Sequence, residues 1–171
     1  MTTTANFLGI PIDGDITRPR AGKTQRPREE FEPLVKALLD DPFIVEFGWR
    51  QYTPYFNDGD PCVFSASGAW VRTANEPKQD AGQDDEDDYD EDDTESLEIS
   101  YGTHPTLGGQ EGYGDNARYV GTRESQWRTS RALADAVEDG EFDHVLLDLF
   151  GDHATVKVSR TGITVDSYEH D

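Results

Sequence analysis

The chain has 171 residues and a formal charge of −21, from 36 carboxylates against 15 lysines and arginines. That balance excludes general binding to nucleic acid or to an anionic membrane surface, since both would repel the domain. A single cysteine, Cys62, excludes an intrachain disulfide, and no apolar run approaches the ~18 residues that a membrane span needs.

This length predicts one domain that can bury a core without disulfide or metal staples. The N-terminus lacks the basic start and sustained apolar stretch of a secretion signal, so the expected location is cytoplasmic. The acidity reads first as solubility, above all in a salty cytoplasm; the competing reading is phosphate-like charge shown to a basic partner.

In chain order, residues 1–27 are expected to form a flexible basic arm. Arg18, Arg20, Lys23 and Arg26 lie among Pro19, Gly22 and Pro27, which discourage regular structure. Ala21-Gly22-Lys23-Thr24 has the ending of a phosphate-binding loop. That motif requires a glycine where Thr17 stands, and an apolar strand before it, so it is rejected. A single α+β domain is expected over 28–171. Phe31, Leu34, Val35, Leu38 and Leu39 make one apolar stripe and predict a helix over 28–40, with Pro33 acceptable in its first turn. Phe43, Val45, Phe47 and Trp49 alternate with more polar neighbours and predict a strand. Asn57-Asp58-Gly59-Asp60 is strong turn chemistry and closes a hairpin, whose return strand runs over 62–72 with a bulge or bend at Gly68.

Residues 79–96 carry eleven acids and no base, and are expected to be a disordered acidic insertion. The run has no glycine at the position an EF-hand loop requires. A short strand is expected over 97–101, then a long Gly-rich surface loop over 102–121. Thr122 is the expected cap of a helix over 123–138, and a last helix over 141–150 ends at Gly151. Two strands follow, through Ala154, Val156 and Val158, then Ile163 and Val165.

The two ends echo each other. Phe31, Leu34, Val35, Leu38 and Leu39 share their spacing with Phe142, Val145, Leu146, Leu149 and Phe150, and each helix leads into two strands. The expected fold is therefore α+β: two helix–strand–strand units pairing into one antiparallel sheet, with helices on one face.

Few residues are marked for chemistry. Cys62 alternates with Phe64 and reads as a small apolar strand residue; no histidine stands in a dyad relation to it. His144, Asp148, Asp152 and His153 surround the last helix, and a zinc or manganese site is geometrically conceivable there. The spacing is not diagnostic, and a solvated face is the simpler reading. No catalytic residue, metal ligand or cofactor is assigned. The binding candidates are Tyr52 and Tyr55, which could contact a partner or pack on the sheet, with Asn57, Asp58 and Asp60 at the turn.

Trp49, then Gln51-Tyr52-Thr53-Pro54-Tyr55-Phe56-Asn57-Asp58-Gly59-Asp60, followed by Cys62, resembles a run in a group of uncharacterised phage and bacterial proteins. Phe150-Gly151-Asp152-His153 and Gly162-Ile163-Thr164-Val165 extend the likeness. The group has no assigned activity, so the resemblance implies a phage-related or accessory role and no catalytic residue. The functional expectation is a non-enzymatic protein that binds a protein partner through the aromatic hairpin and Gly-rich loop, with no direct contact to nucleic acid or membrane. The alternatives are an acidic nucleic-acid mimic blocking a DNA-binding protein, and a metal-dependent hydrolase using the 144–153 region. The sequence carries no signature of oligomeric state.

Overall fold

The computed structural model describes residues 23–56, 58–75, 94–100 and 102–168, with two short strands before them. Those strands, β1 (Asn6–Phe7) and β2 (Ile10–Pro11), pair antiparallel. The rest is an α+β domain. Its main sheet has the order β4-β3-β8-β9, built from β3 (Ile44–Tyr52), β4 (Ser65–Thr73), β8 (Ala154–Ser159) and β9 (Gly162–Ser167). Every pairing in it is antiparallel. The two helix–strand–strand units are α1 (Arg28–Asp40) with β3 and β4, and α3 (Asp143–Phe150) with β8 and β9. They join through β3 and β8 at the centre of the sheet.

Alternation decides which side of the sheet is buried. Phe47, Trp49 and Gln51 on β3 lie beside Val158, Val156 and Ala154 on β8, and all six are buried under the helices. Trp49 meets the ring of Phe31 from α1 at 6.2 Å and that of Phe150 from α3 at 5.5 Å, both edge-on. On the opposite side, the indole of Trp70 lies across Gly48. A Cβ there would stand 2.1 Å from the Val156 carbonyl oxygen and 2.9 Å from the indole, so only glycine lets strand and ring approach this closely.

Helix α2 (Glu124–Glu138) lies against β4 and beside α1, and buries Trp127, Leu133, Ala134, Ala136 and Val137. The Gly-rich stretch is a meander of β5 (Thr103–His104), β6 (Gly108–Glu111) and β7 (Arg118–Val120). It seats on the sheet through a buried histidine. His104 donates from Nε2 to the Val71 carbonyl at 2.7 Å, while Nδ1 accepts from the Thr106 and Leu107 N–H groups.

Several expectations shift locally. Pro33 falls in the second turn of α1, not the first; it has no N–H to offer the Glu29 carbonyl, and both residues are exposed. The N-cap of α2 is Arg123, with no side-chain cap bond, in place of Thr122; the Arg123 N–H is already taken by the Tyr119 hydroxyl at 2.8 Å. The strand expected over 97–101 is a 3₁₀ turn, Glu95–Leu97, then one bridge from Glu98 to Trp70. The acidic insertion lies outside the described residues except for 94–96, which lead into that turn. The basic arm likewise lies mostly outside them, but its end belongs to the folded unit. Gln25 bonds the Gly140 carbonyl and the His144 N–H, and Arg26 lies over the Phe142 ring at 4.8 Å. The bulge falls where expected: Gly68 and Ala69 together oppose Trp49, and Gly68 has φ 63°.

Candidate functional site at the hairpin end of the sheet

The hairpin strands part earlier than the sequence suggests. Strand β3 ends at Tyr52 and β4 begins at Ser65, so Cys62 is a half-buried loop residue and not a strand residue. Pro54 and Pro61 have no N–H for a ladder, and the Thr53 N–H is given to the Asp152 carboxylate at 2.8 Å.

That bond belongs to a larger junction. Gln51, fully buried, accepts from the Trp49 indole N–H at 3.0 Å and donates to the Leu146 carbonyl at 3.1 Å and to the Gly151 carbonyl. All the hydrogen-bonding groups of its amide are engaged, which is what makes a polar side chain tolerable in this core. Gly151 ends α3 at φ 79°, a conformation that favours glycine, and turns the chain toward Asp152 and His153. Asp152 also accepts from the His153 N–H at 2.8 Å, which helps to hold His153 at φ 51°.

His153 is the base of an aromatic platform. Tyr55 stacks on its imidazole at 4.8 Å with 17° between planes; Tyr52 tilts against it at 6.4 Å and meets Tyr168 at 5.4 Å. The Tyr168 N–H is bonded to the His153 carbonyl at 2.7 Å, and Arg50 lies over the Tyr168 ring at 5.8 Å. Arg50 reaches Glu98 at 3.6 Å; burial pushes the Glu98 carboxyl up, against the pull of that arginine. Outside this scaffold Tyr55 and Phe56 are each 78% exposed.

The structure thus brings Tyr52 and Tyr55 together with the 150–153 stretch. Asp58, at φ 35°, and Asp60 are exposed on the loop in keeping with turn chemistry, and Asn57 lies outside the described residues. The Gly-rich meander is elsewhere. It bonds β4 at Val71 and Thr73, the end of the strand pair farthest from the platform, so hairpin and Gly-rich stretch do not form one surface. Sequence reasoning missed the roles of Gln51, Phe56, Asp152 and Tyr168. Its one signal was the proximity implied by two distinctive strings, the hairpin run and Phe150-Gly151-Asp152-His153.

His144 is exposed on α3, Asp152 is spent on backbone N–H groups, and His153 is covered by Tyr55. Among the described residues no three His, Cys, Asp or Glu side chains are grouped to hold a metal ion, and no helix is long and apolar enough to cross a membrane. Comparison with family models, curated proteins and solved structures finds no match to this chain.

Proposed function

We propose that this is a non-enzymatic, cytoplasmic protein that binds a protein partner through the platform formed by Tyr52, Tyr55, Phe56 and His153, in an accessory, phage-related role. The observation that carries this reading is two adjacent aromatic side chains, each 78% exposed, on a loop tied down by Asp152, with Tyr55 stacked on a histidine. Aromatic rings in water give up burial energy that a core would recover. A scaffold that holds them rigid lowers the ordering cost of binding. Tyrosine is also among the residue types that dominate contact energies. The acidic residues of 79–96 supply long-range attraction for a basic partner, which speeds encounter.

The test is capture from a host lysate by the intact chain, by Tyr55→Ser/Phe56→Ser and by a variant lacking 79–96. The double substitution is expected to abolish capture without changing the thermal midpoint, and the deletion to slow association only. Capture that survives the double substitution but disappears with the deletion would replace this reading with acidic mimicry.

A further inference from the structure

The main sheet has two edges, and they are finished differently. Beyond β4, the Ile99 N–H donates to the Ala69 carbonyl at 3.0 Å and Glu98 bridges Trp70, so that edge is closed. No strand pairs with the outer side of β9 among the described residues. All six of its residues are exposed, including Ile163 at 53% and Val165 at 46%. The strand carries none of the usual protections: no proline, no lysine, no bulge, and one charge, Asp166.

Its helix side opens into a groove of about 210 Å³, walled by Phe31, Val35 and Leu39 of α1 and by Leu149 and Phe150 of α3, with Ile163 on its rim. The charge here departs from the rest of the molecule. The groove and the β8–β9 hairpin carry four cations, Arg28, Lys36, Lys157 and Arg160, against Glu32, which pairs with Arg28, Asp166, and the Asp40 carboxylate that pairs with Lys36. On a chain of charge −21, this is a face where a second copy can approach without meeting dense negative charge.

We infer that β9 is the contact between two copies of this chain, β9 against β9, antiparallel about a two-fold axis at Thr164, extending the sheet to eight strands. The register follows from what each position would face. With helices of both copies on the same side, opposed residues share a face, so the axis passes through a residue. Centred on Thr164, Ile163 of each copy faces Val165 of the other on the apolar side. Thr164 faces Thr164, a favourable cross-strand pair. Asp166 faces Gly162 of the second copy, two residues from that copy's Arg160, so no like charges are opposed. This contact stands apart from the aromatic platform.

Salt gives the association an identifying sign. Two chains of −21 repel as wholes while their contact is apolar and backbone-mediated, so screening strengthens the dimer. The test is sedimentation velocity of the full chain over a concentration series at about 0.15 M and about 1 M salt. A species of twice the chain mass is expected, its fraction rising with salt. Val165→Lys, which lowers the net charge and yet places an ammonium opposite Ile163, is expected to weaken the dimer roughly tenfold or more. In a Cys62→Ser background, Thr164→Cys should form an intermolecular disulfide on mild oxidation, and Ile163→Cys should not.

A chain monomeric at both salts overturns the inference, as does a dimer indifferent to Val165→Lys. Slow amide exchange in β9 of a monomeric chain would mean that another segment of the same chain, or a different partner, covers this edge. A dimer that salt dissociates would point to an interface built on ion pairs instead.

Discussion

Strands β4 and β9 hold equivalent places, each the outer strand of a helix–strand–strand unit, and they have opposite environments. Along β4 most positions are buried; along β9 none is. The difference is sharpest in one cross-strand pair: Val156 on β8 is fully buried, while Val165, its register partner on β9, is 46% exposed. Both strands carry apolar residues, regularly alternating in β9 and interrupted by the bulge in β4. What differs is what the chain lays over them. Helix α2 and the 94–99 segment cover β4 and close its edge, and the His104 turn pins the meander to its far end. Among the described residues no segment covers β9 in this way, and the residue after it, Tyr168, is engaged at the platform. Apolar periodicity therefore marks a face able to be buried, and the rest of the chain, or another chain, decides whether it is.

The comparison breaks most severely where the two units are joined. Replacing Gln51 by Leu leaves the Trp49 N–H and the Leu146 and Gly151 carbonyls without their partner in the core. A loss of about 3 kcal/mol is expected in denaturant titration, since each stranded buried group costs roughly 1–3 kcal/mol. The same substitution should free the Asp152–His153 turn and reduce Tyr55 stacking, read as a change in near-ultraviolet circular dichroism.

A matched pair sharpens it. Val156→Ala is expected to cost about 2 kcal/mol, from lost transfer energy and a residual cavity. Val165→Ala, at its register partner, should cost about 0.5 kcal/mol or less in the monomer. Equal losses would show that β9 is buried in solution.

The smallest effect concerns the cover of β4. Burial lowers the pKa of His104 from its ordinary value of 6.5, because the charged ring loses its hydration in the core, and the hydrogen bond to the Val71 carbonyl offsets this only in part. The unfolded chain binds the proton more readily, so stability rises with pH and is lost as pH falls through 6.5 toward the lower folded value. Thermal midpoints measured from pH 7 down to pH 5 should fall more steeply for the native chain than for His104→Gln. An unchanged slope would mean that His104 does not contribute to acid sensitivity.

Much of the fold was legible because it is local. Helix α1, the alternation of β3, β8 and β9, the turn at Gly151 and the pairing of two similar units all follow from spacing and from residues with restricted or permissive backbones. The half-buried state of Leu34, Val35 and Leu39 was not legible, since their stripe is as regular as that of a fully covered helix. Of the site, Tyr52 and Tyr55 could be named from the hairpin; Asp152, His153 and Tyr168 could not be placed beside them, because their contacts span about a hundred residues of chain.

Composition and periodicity by themselves determined an acidic α+β domain, its helices, its central strands and a turn rich in aromatic neighbours. Only the tertiary structure decided that Gln51 is a core residue welding the two units, that Tyr55 rests on His153, and that β9 faces water. The physical reason is that periodicity is set by neighbours three or four residues apart. Burial of a strand face is set by whichever distant segment packs on it, and no local pattern encodes that segment's arrival.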